Sequence, residues 1–258
     1  MRILNIDRIT MKYGGLFALK DVWFEVKNEE IVSLIGPNGA GKTTLFNIVS
    51  GIIRPNSGRI IFGQDGRDIV GLKPDRITHL GIARTFQNIR LFPNLTSLDN
   101  VKIGCHCRTK TNFLGAILRT PSSVEEEQYI TQVGMKYLSF VGLQDAKDKL
   151  ASNLSYGDQR RLEIARALAT EPILLLLDEP CAGMNPAETK GLMRLIERIR
   201  EQEITILLIE HDMKVVMGIS DRVVVLDYGI KIAEGKPEEI QKDKRVIEAY
   251  LGKDIDYA

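Results

Sequence analysis

The stretch GPNGAGKTT, residues 36–44, places three glycines, a lysine and two hydroxyls at the spacing G-x-x-x-x-G-K-[ST]. Gly36, Gly39 and Gly41 permit a tight loop whose backbone N–H groups can approach phosphate oxygens. Asn38 and Ala40 lie between them and count as nucleotide-contacting positions with them. The apolar run IVSLI (31–35) precedes the loop, and TTLFNIVSG follows with Leu45, Ile48 and Val49 at helical spacing. A helix opening at the loop adds unsatisfied N–H donors and a positive dipole end. Lys42 is expected to reach the β- and γ-phosphates, Thr43 to hold Mg²⁺, and Thr44 to add a phosphate contact. A glycine-rich turn with an incidental lysine is the alternative, and the strand–loop–helix context weighs against it.

Two further apolar runs end in ionisable side chains. ILLLLDEP (173–180) brings Asp178 and Glu179 off the end of a strand, where ligands of open parallel sheets bind. Asp178 is read as a Mg²⁺ ligand, directly or through water, and Glu179 as the general base that polarises an attacking water. A solvated turn stopped by Pro180 is the bland reading. ITILLIEHD (204–212) repeats the design with Glu210, His211 and Asp212. A neutral imidazole at His211 could hold the water or the transferring group, whereas His79 and His106 read as surface histidines. In LSYGDQRR (154–161), Ser155 and Asp158 make a capping box worth about 1 kcal/mol, which leaves Tyr156 and Gly157 unexplained.

These groups need a frame. ILNIDRI (3–9), VWFEV (22–26) and GRIIFGQDG (58–66) read as strands and a turn, and Gly51 as a helix C-cap. Segments 96–103, 112–119 and 124–143 predict helices, with an irregular insertion over 104–123. Beyond 158 the pattern is helix DQRRLEIARALAT, strand, helix PAETKGLMRLIERIREQ, strand, then a hairpin RVVVLDYGIKIAEG turning near Asp227–Gly229. A single charged helix is expected for the tail PEEIQKDKRVIEAYLG. Alternating strands and helices argue for an α/β core with a mostly parallel sheet.

Composition narrows the partners. Lys plus Arg number 35 against 34 Asp plus Glu, a net charge of +1, which gives no bulk steering toward nucleic acid or an anionic membrane. No apolar run approaches the roughly 18 residues that span a bilayer, and MRILNIDRIT lacks a signal-peptide stretch, so the expected compartment is the cytosol. Cys105, Cys107 and Cys181 make no disulfide framework, and CHC at 105–107 is poor zinc spacing.

Taken in order, GPNGAGKTT, Gln87 in ARTFQN, LSYGDQ, LLLLDEP and His211 resemble the ATP-binding-cassette ATPases, and Tyr13 in MKYGG matches the aromatic that this family stacks on adenine. The resemblance implies a P-loop NTPase core with a mostly parallel sheet, an N-terminal antiparallel β subdomain and an inserted α-helical lobe. It implies one domain over 1–258, with the core at about 1–89 and 156–258 and the helical lobe at about 90–155. Gln87 would touch Mg²⁺ or the water, and Ser155 and Gly157 would meet the nucleotide of a second cassette, a sibling or a copy of this chain. The implied cofactors are ATP and Mg²⁺. The implied partners are two transmembrane permease subunits and, indirectly, an extracytoplasmic solute-binding protein, with no nucleic acid. The chain would then sit peripherally on the cytoplasmic face of the cell membrane. ARTFQNIRLFPNLTSLDNV, LSYGDQRRLEIARALA and DEPCAGMNP are similar to the cassettes of branched-chain amino-acid importers. There Arg90, Leu91, Phe92 and Leu95 would face a permease helix; packing inside the lobe is the alternative. Tyr156 and Asp158 in the signature, and Asn185 where an aspartate is usual, depart from the wider superfamily and imply a heterodimer. A cassette of another transporter, such as lipopolysaccharide export, and a soluble non-transport cassette are the alternative functions.

Overall fold

The computed structural model describes residues 1–108 and 120–251. Two sheets organise them. β1 (Arg2–Tyr13) and β2 (Leu16–Lys27) form a long hairpin, which continues through β4 (Ser57–Phe62) to β5 (Arg67–Asp68) in an antiparallel sheet of order β2-β1-β4-β5. The second sheet has the order β10-β9-β3-β8-β7-β6. Its strands are β3 (Ile31–Ile35), β6 (Ile82–Arg84), β7 (Leu174–Asp178), β8 (Thr205–Ile209), β9 (Arg222–Asp227) and β10 (Ile230–Gly235). All its pairs are parallel except β9 with β10. The expected α/β architecture, antiparallel and mostly parallel sheets included, is the one observed.

The apolar runs read as strands because they are covered on both faces: every residue of β3, β7 and β8 is buried. Side chains alternate across the sheet. Val32, Leu34, Leu174, Leu176, Leu207 and Ile209 pack with the antiparallel sheet and α1 (Lys42–Val49). Ile31, Leu175, Leu177, Ile206 and Leu208 pack against helices on the other face. Those helices are α3 (Ser97–Cys105), α4 (Pro121–Phe140), α5 (Tyr156–Leu168) and α6 (Pro186–Arg200). Short helices α2 (Pro74–His79) and α7 (Met213–Ile219) complete the layers with α8 (Pro237–Ile240) and α9 (Lys244–Leu251).

Several expectations change. The tail is two helices, because the chain breaks at 241–243 between α8 and α9. The supposed insertion begins later than 104 and ends sooner than 123: α3 runs to Cys105, a 3-10 turn spans His106–Arg108, and Thr120 caps α4 by accepting the Ser123 N–H at 3.4 Å. The helix expected at 112–119 lies outside the described residues. The hairpin turn falls where expected, with Asp227 opposite Ile230.

The register positions the chemistry. Leu34 of β3 and Asp178 of β7 both lie opposite Ile209 of β8, and Arg84 of β6 lies opposite Leu176. The carboxyl ends of β3, β8, β7 and β6 therefore stand side by side. From them issue, in that order, the glycine loop, Glu210–His211, Asp178–Glu179 and the segment carrying Gln87.

Candidate active site

The loop from Gly36 to Gly41 is held tightly from behind. Gly41 caps α1 with φ 102°, and a Cβ there would lie 2.5 Å from the Ala18 carbonyl oxygen. A Cβ on Gly36 would lie 2.0 Å from the Leu226 carbonyl oxygen. Ala40 turns its methyl inward, and its carbonyl accepts the Gly229 N–H at 3.1 Å, while Asn38, Gly39 and Thr43 are exposed and Thr44 is half-buried. Lys42 is buried and donates from Nζ to the carbonyls of Gly36 at 2.6 Å and Pro37 at 3.0 Å. Tyr13 is exposed at the end of β1, on the hairpin whose Ala18 backs the loop.

Asp178 is buried and engaged. Its Oδ2 accepts Arg84 Nη2 at 2.8 Å. The other Arg84 amino group donates to Asn47 Oδ1 at 2.8 Å and Ser50 Oγ at 2.9 Å, both on or beside α1. The guanidinium lies over the rings of Phe46 and Phe86. Burial pushes Arg84 below the ordinary arginine range, against the pull of Asp178. One arginine thus ties the end of β7 to α1, the helix that follows the glycine loop, and the sequence reading missed it. Its only signal was a cation ending a short apolar strand three residues before Gln87. Asp178 Oδ1 has no protein hydrogen bond among the described residues. A free carboxylate oxygen, the Thr43 hydroxyl and the Gln87 amide oxygen form an all-oxygen set that fits Mg²⁺ chemistry.

Glu179 follows in the left-handed region, φ 47°, with its N–H donating to the Ile209 carbonyl at 2.9 Å. Its Oε2 accepts Gln87 Nε2 at 2.9 Å and lies 3.8 Å from His211 Nδ1. Three of the candidate residues, from three strand ends, therefore meet. The His211 ring is 63 % exposed and sits 3.3 Å from Glu210 Oε1. Glu210 is buried and acts as a clamp: Oε1 accepts the N–H groups of His211 and Asp212, and Oε2 accepts that of Cys181.

The Cys181 thiol, two residues after Glu179, is pushed up to about 12 by burial and then by Glu210. It should stay protonated at pH 8 and resist iodoacetamide in the native protein, labelling only after denaturation. Mass spectrometry of alkylated peptides checks this, and rapid native labelling would refute it.

Ser155 caps α5 by accepting the Asp158 N–H at 3.2 Å. The expected return bond is not made, because Asp158 pairs with Arg161 instead. A charged guanidinium one turn on is a stronger partner than a neutral N–H. Gly157 is buried, and a Cβ there would lie 3.0 Å from Glu188 Oε1. Glu188 in turn closes a capping box with Asn185, which accepts the N–H groups of Ala187 and Glu188 at the start of α6. Gly157 thus has a packing requirement within the chain that the sequence did not reveal. Asn185 has a cap to make whatever else it does. Phe92 is 48 % exposed and Leu95 37 % exposed, so neither is core.

Comparison with known proteins follows the same lines. Residues 19–182 match the family model described as ABC transporter, and residues 231–256 match that of the branched-chain amino acid ATP-binding cassette transporter. The chain is 45 % identical over 251 residues to the high-affinity branched-chain amino acid transport ATP-binding protein BraF of Pseudomonas aeruginosa, covering 97 % of this chain and 98 % of that one. A nucleotide-free ATP-binding cassette from an ABC transporter superposes with a TM-score of 0.85 at 32 % identity, covering 98 % of this chain and all of that one. A dimeric cassette in a post-hydrolysis state with ADP and Pi superposes with a TM-score of 0.76 at 26 % identity, covering 91 % of this chain and 99 % of that one. With its glycine loop and paired carboxylates at the ends of two strands that flank β8 in this fold, the chain belongs to the ATP-binding-cassette transporter family.

Proposed function

We propose that this chain is the ATP-hydrolysing subunit of an importer that takes up branched-chain amino acids. The contact of Gln87 with Glu179, beside Asp178 and the phosphate loop, carries the ATPase assignment. The match over residues 231–256 and the likeness to BraF support the transported class.

In this reading Tyr13 stacks on adenine, and Gly36 to Thr44, through Asn38, Gly39, Ala40 and Gly41, bind the phosphates. Lys42 exchanges its loop carbonyls for phosphate oxygens. Thr43, Asp178 and the Gln87 amide oxygen would hold Mg²⁺, which would neutralise charge on the phosphates. Glu179 takes the proton of the attacking water as the new O–P bond forms, and ADP leaves with the β-phosphate oxygen. Gln87 fixes Glu179 by its amide nitrogen, and His211 approaches the same carboxylate oxygen.

The chain then forms one cassette over 1–258, with the core at about 1–89 and 156–258 and a helical lobe at about 90–155. Ser155 and Gly157 close on the nucleotide of a second cassette, a sibling or a copy. Among the described residues no helix is long and apolar enough to cross a membrane. Passage through the membrane falls to two permease subunits, which a solute-binding protein supplies from outside, and the cassette docks on their cytoplasmic side. Exposed Phe92 and Leu95 support that docking, together with Arg166 5.9 Å from the Phe92 ring and an adjoining cleft of about 230 Å³ between Ile103, Glu163 and Arg166.

Deleting the gene should abolish high-affinity uptake of radiolabelled leucine, isoleucine and valine, and the wild-type chain should restore it. Unchanged uptake of all three would reject the substrate class and leave the ATPase assignment to the substitutions below.

A further inference from the structure

Arg160, in the second turn of α5, is completely buried. Nη1 donates to the Phe86 carbonyl at 2.6 Å and to Glu163 Oε2 at 2.8 Å. Nη2 donates to the Gln87 carbonyl at 2.7 Å and to the Tyr156 hydroxyl at 3.3 Å. Glu163, itself buried, accepts the Arg90 N–H at 3.1 Å with its other oxygen. This pair on α5 therefore grips the backbone of the segment leaving β6 at three residues, one of them Gln87. Beyond the guanidinium, the Tyr156 ring lies over Gly183, where a Cβ would meet Tyr156 Cε1 at 3.5 Å. Gly183 belongs to the turn that runs from Glu179 to the cap of α6.

A buried ion pair is a poor source of net stability compared with apolar residues of the same volume. This one satisfies two carbonyls and an N–H of a functional segment, which apolar side chains could not do. We propose that Arg160 is a positioning residue for Gln87, holding its backbone so that the side-chain amide reaches Glu179. Tyr156 joins this strut to the turn after Glu179, through its hydroxyl on Arg160 and its ring on Gly183. The same first turn carries Ser155 and Gly157, so a nucleotide brought there by a second cassette acts on the Gln87–Glu179 contact through one rigid piece. The inference rests on the roles given above to Gln87 and Glu179.

The test is a double-mutant cycle on the full-length chain purified with the subunits that accompany it, reading turnover and ATP affinity separately. Arg160→Lys keeps the charge opposite Glu163 and loses the planar fork that spans two carbonyls. It should lower turnover about five- to tenfold with ATP affinity within about twofold. Tyr156→Phe, which keeps the ring on Gly183 and removes only the hydroxyl that accepts Arg160, should lower turnover about two- to threefold. In a Gln87→Ala background neither substitution should lower turnover further, because each acts through Gln87. Effects that multiply in that background overturn the strut, as does a loss of turnover matched by an equal loss of ATP affinity. If Arg160→Lys does not fold, the Tyr156→Phe arm decides alone. If Gln87→Ala itself leaves turnover unchanged, the active-site assignment fails, and the strut fails with it.

Discussion

Glu179→Gln is expected to bind ATP with wild-type affinity and to hydrolyse it about 10²–10⁴-fold more slowly, the usual worth of a positioned general base. The substitution is nearly isosteric. The amide oxygen of the new glutamine can still accept Gln87 Nε2, which holds Glu179 at 2.9 Å, and the backbone bond to Ile209 does not involve the side chain. The variant therefore removes proton-accepting capacity and leaves the architecture in place. Phosphate release gives the rate and a nucleotide titration gives the affinity, both in the purified transporter. Turnover within about threefold of wild type would sink the base assignment.

Lys42→Ala should weaken ATP binding by tens- to a hundredfold, from the loss of charge-assisted hydrogen bonds of about 1.5–3 kcal/mol. It has a second consequence that the sequence did not imply. Lys42 also braces its own loop through the carbonyls of Gly36 and Pro37. Truncation should therefore also lower the melting temperature of the nucleotide-free chain by a few degrees. An affinity unchanged by the substitution would count against the phosphate-loop assignment. A lowered affinity with an unchanged melting temperature would limit the lysine to its ligand.

The parallel core was legible because strands buried on both faces leave unbroken apolar runs. IVSLI, ILLLLD and ITILLIE are such runs, and each strand lies within one residue of its run. The glycine loop was legible because its residue types and its strand–loop–helix setting coincide. β6 and α2 were not, being three and six residues long with too few apolar positions to show a period. The Arg84–Asp178 bond joins residues 94 apart, and no local pattern marks either as the other's partner. Asp158 looked like half of a capping box because sequence spacing cannot weigh an N–H against a guanidinium. Gly157 looked like a ligand-approach glycine, and spacing alone could not show the Glu188 carboxylate packed against it.

The place of β3 has a cost during synthesis. The strand that launches the phosphate loop is interior, and its only neighbours are β8 and β9. Both of its edges thus stay unpaired until β8 has left the ribosome, and one of them until β9 has, roughly 190 residues or about 10–40 s after β3. For that time an apolar strand with open edges is exposed to self-association, and the loop it should anchor has no rigid base. A nascent chain stalled before residue 205 should therefore engage chaperones and fail to retain nucleotide, although its whole glycine loop is already made.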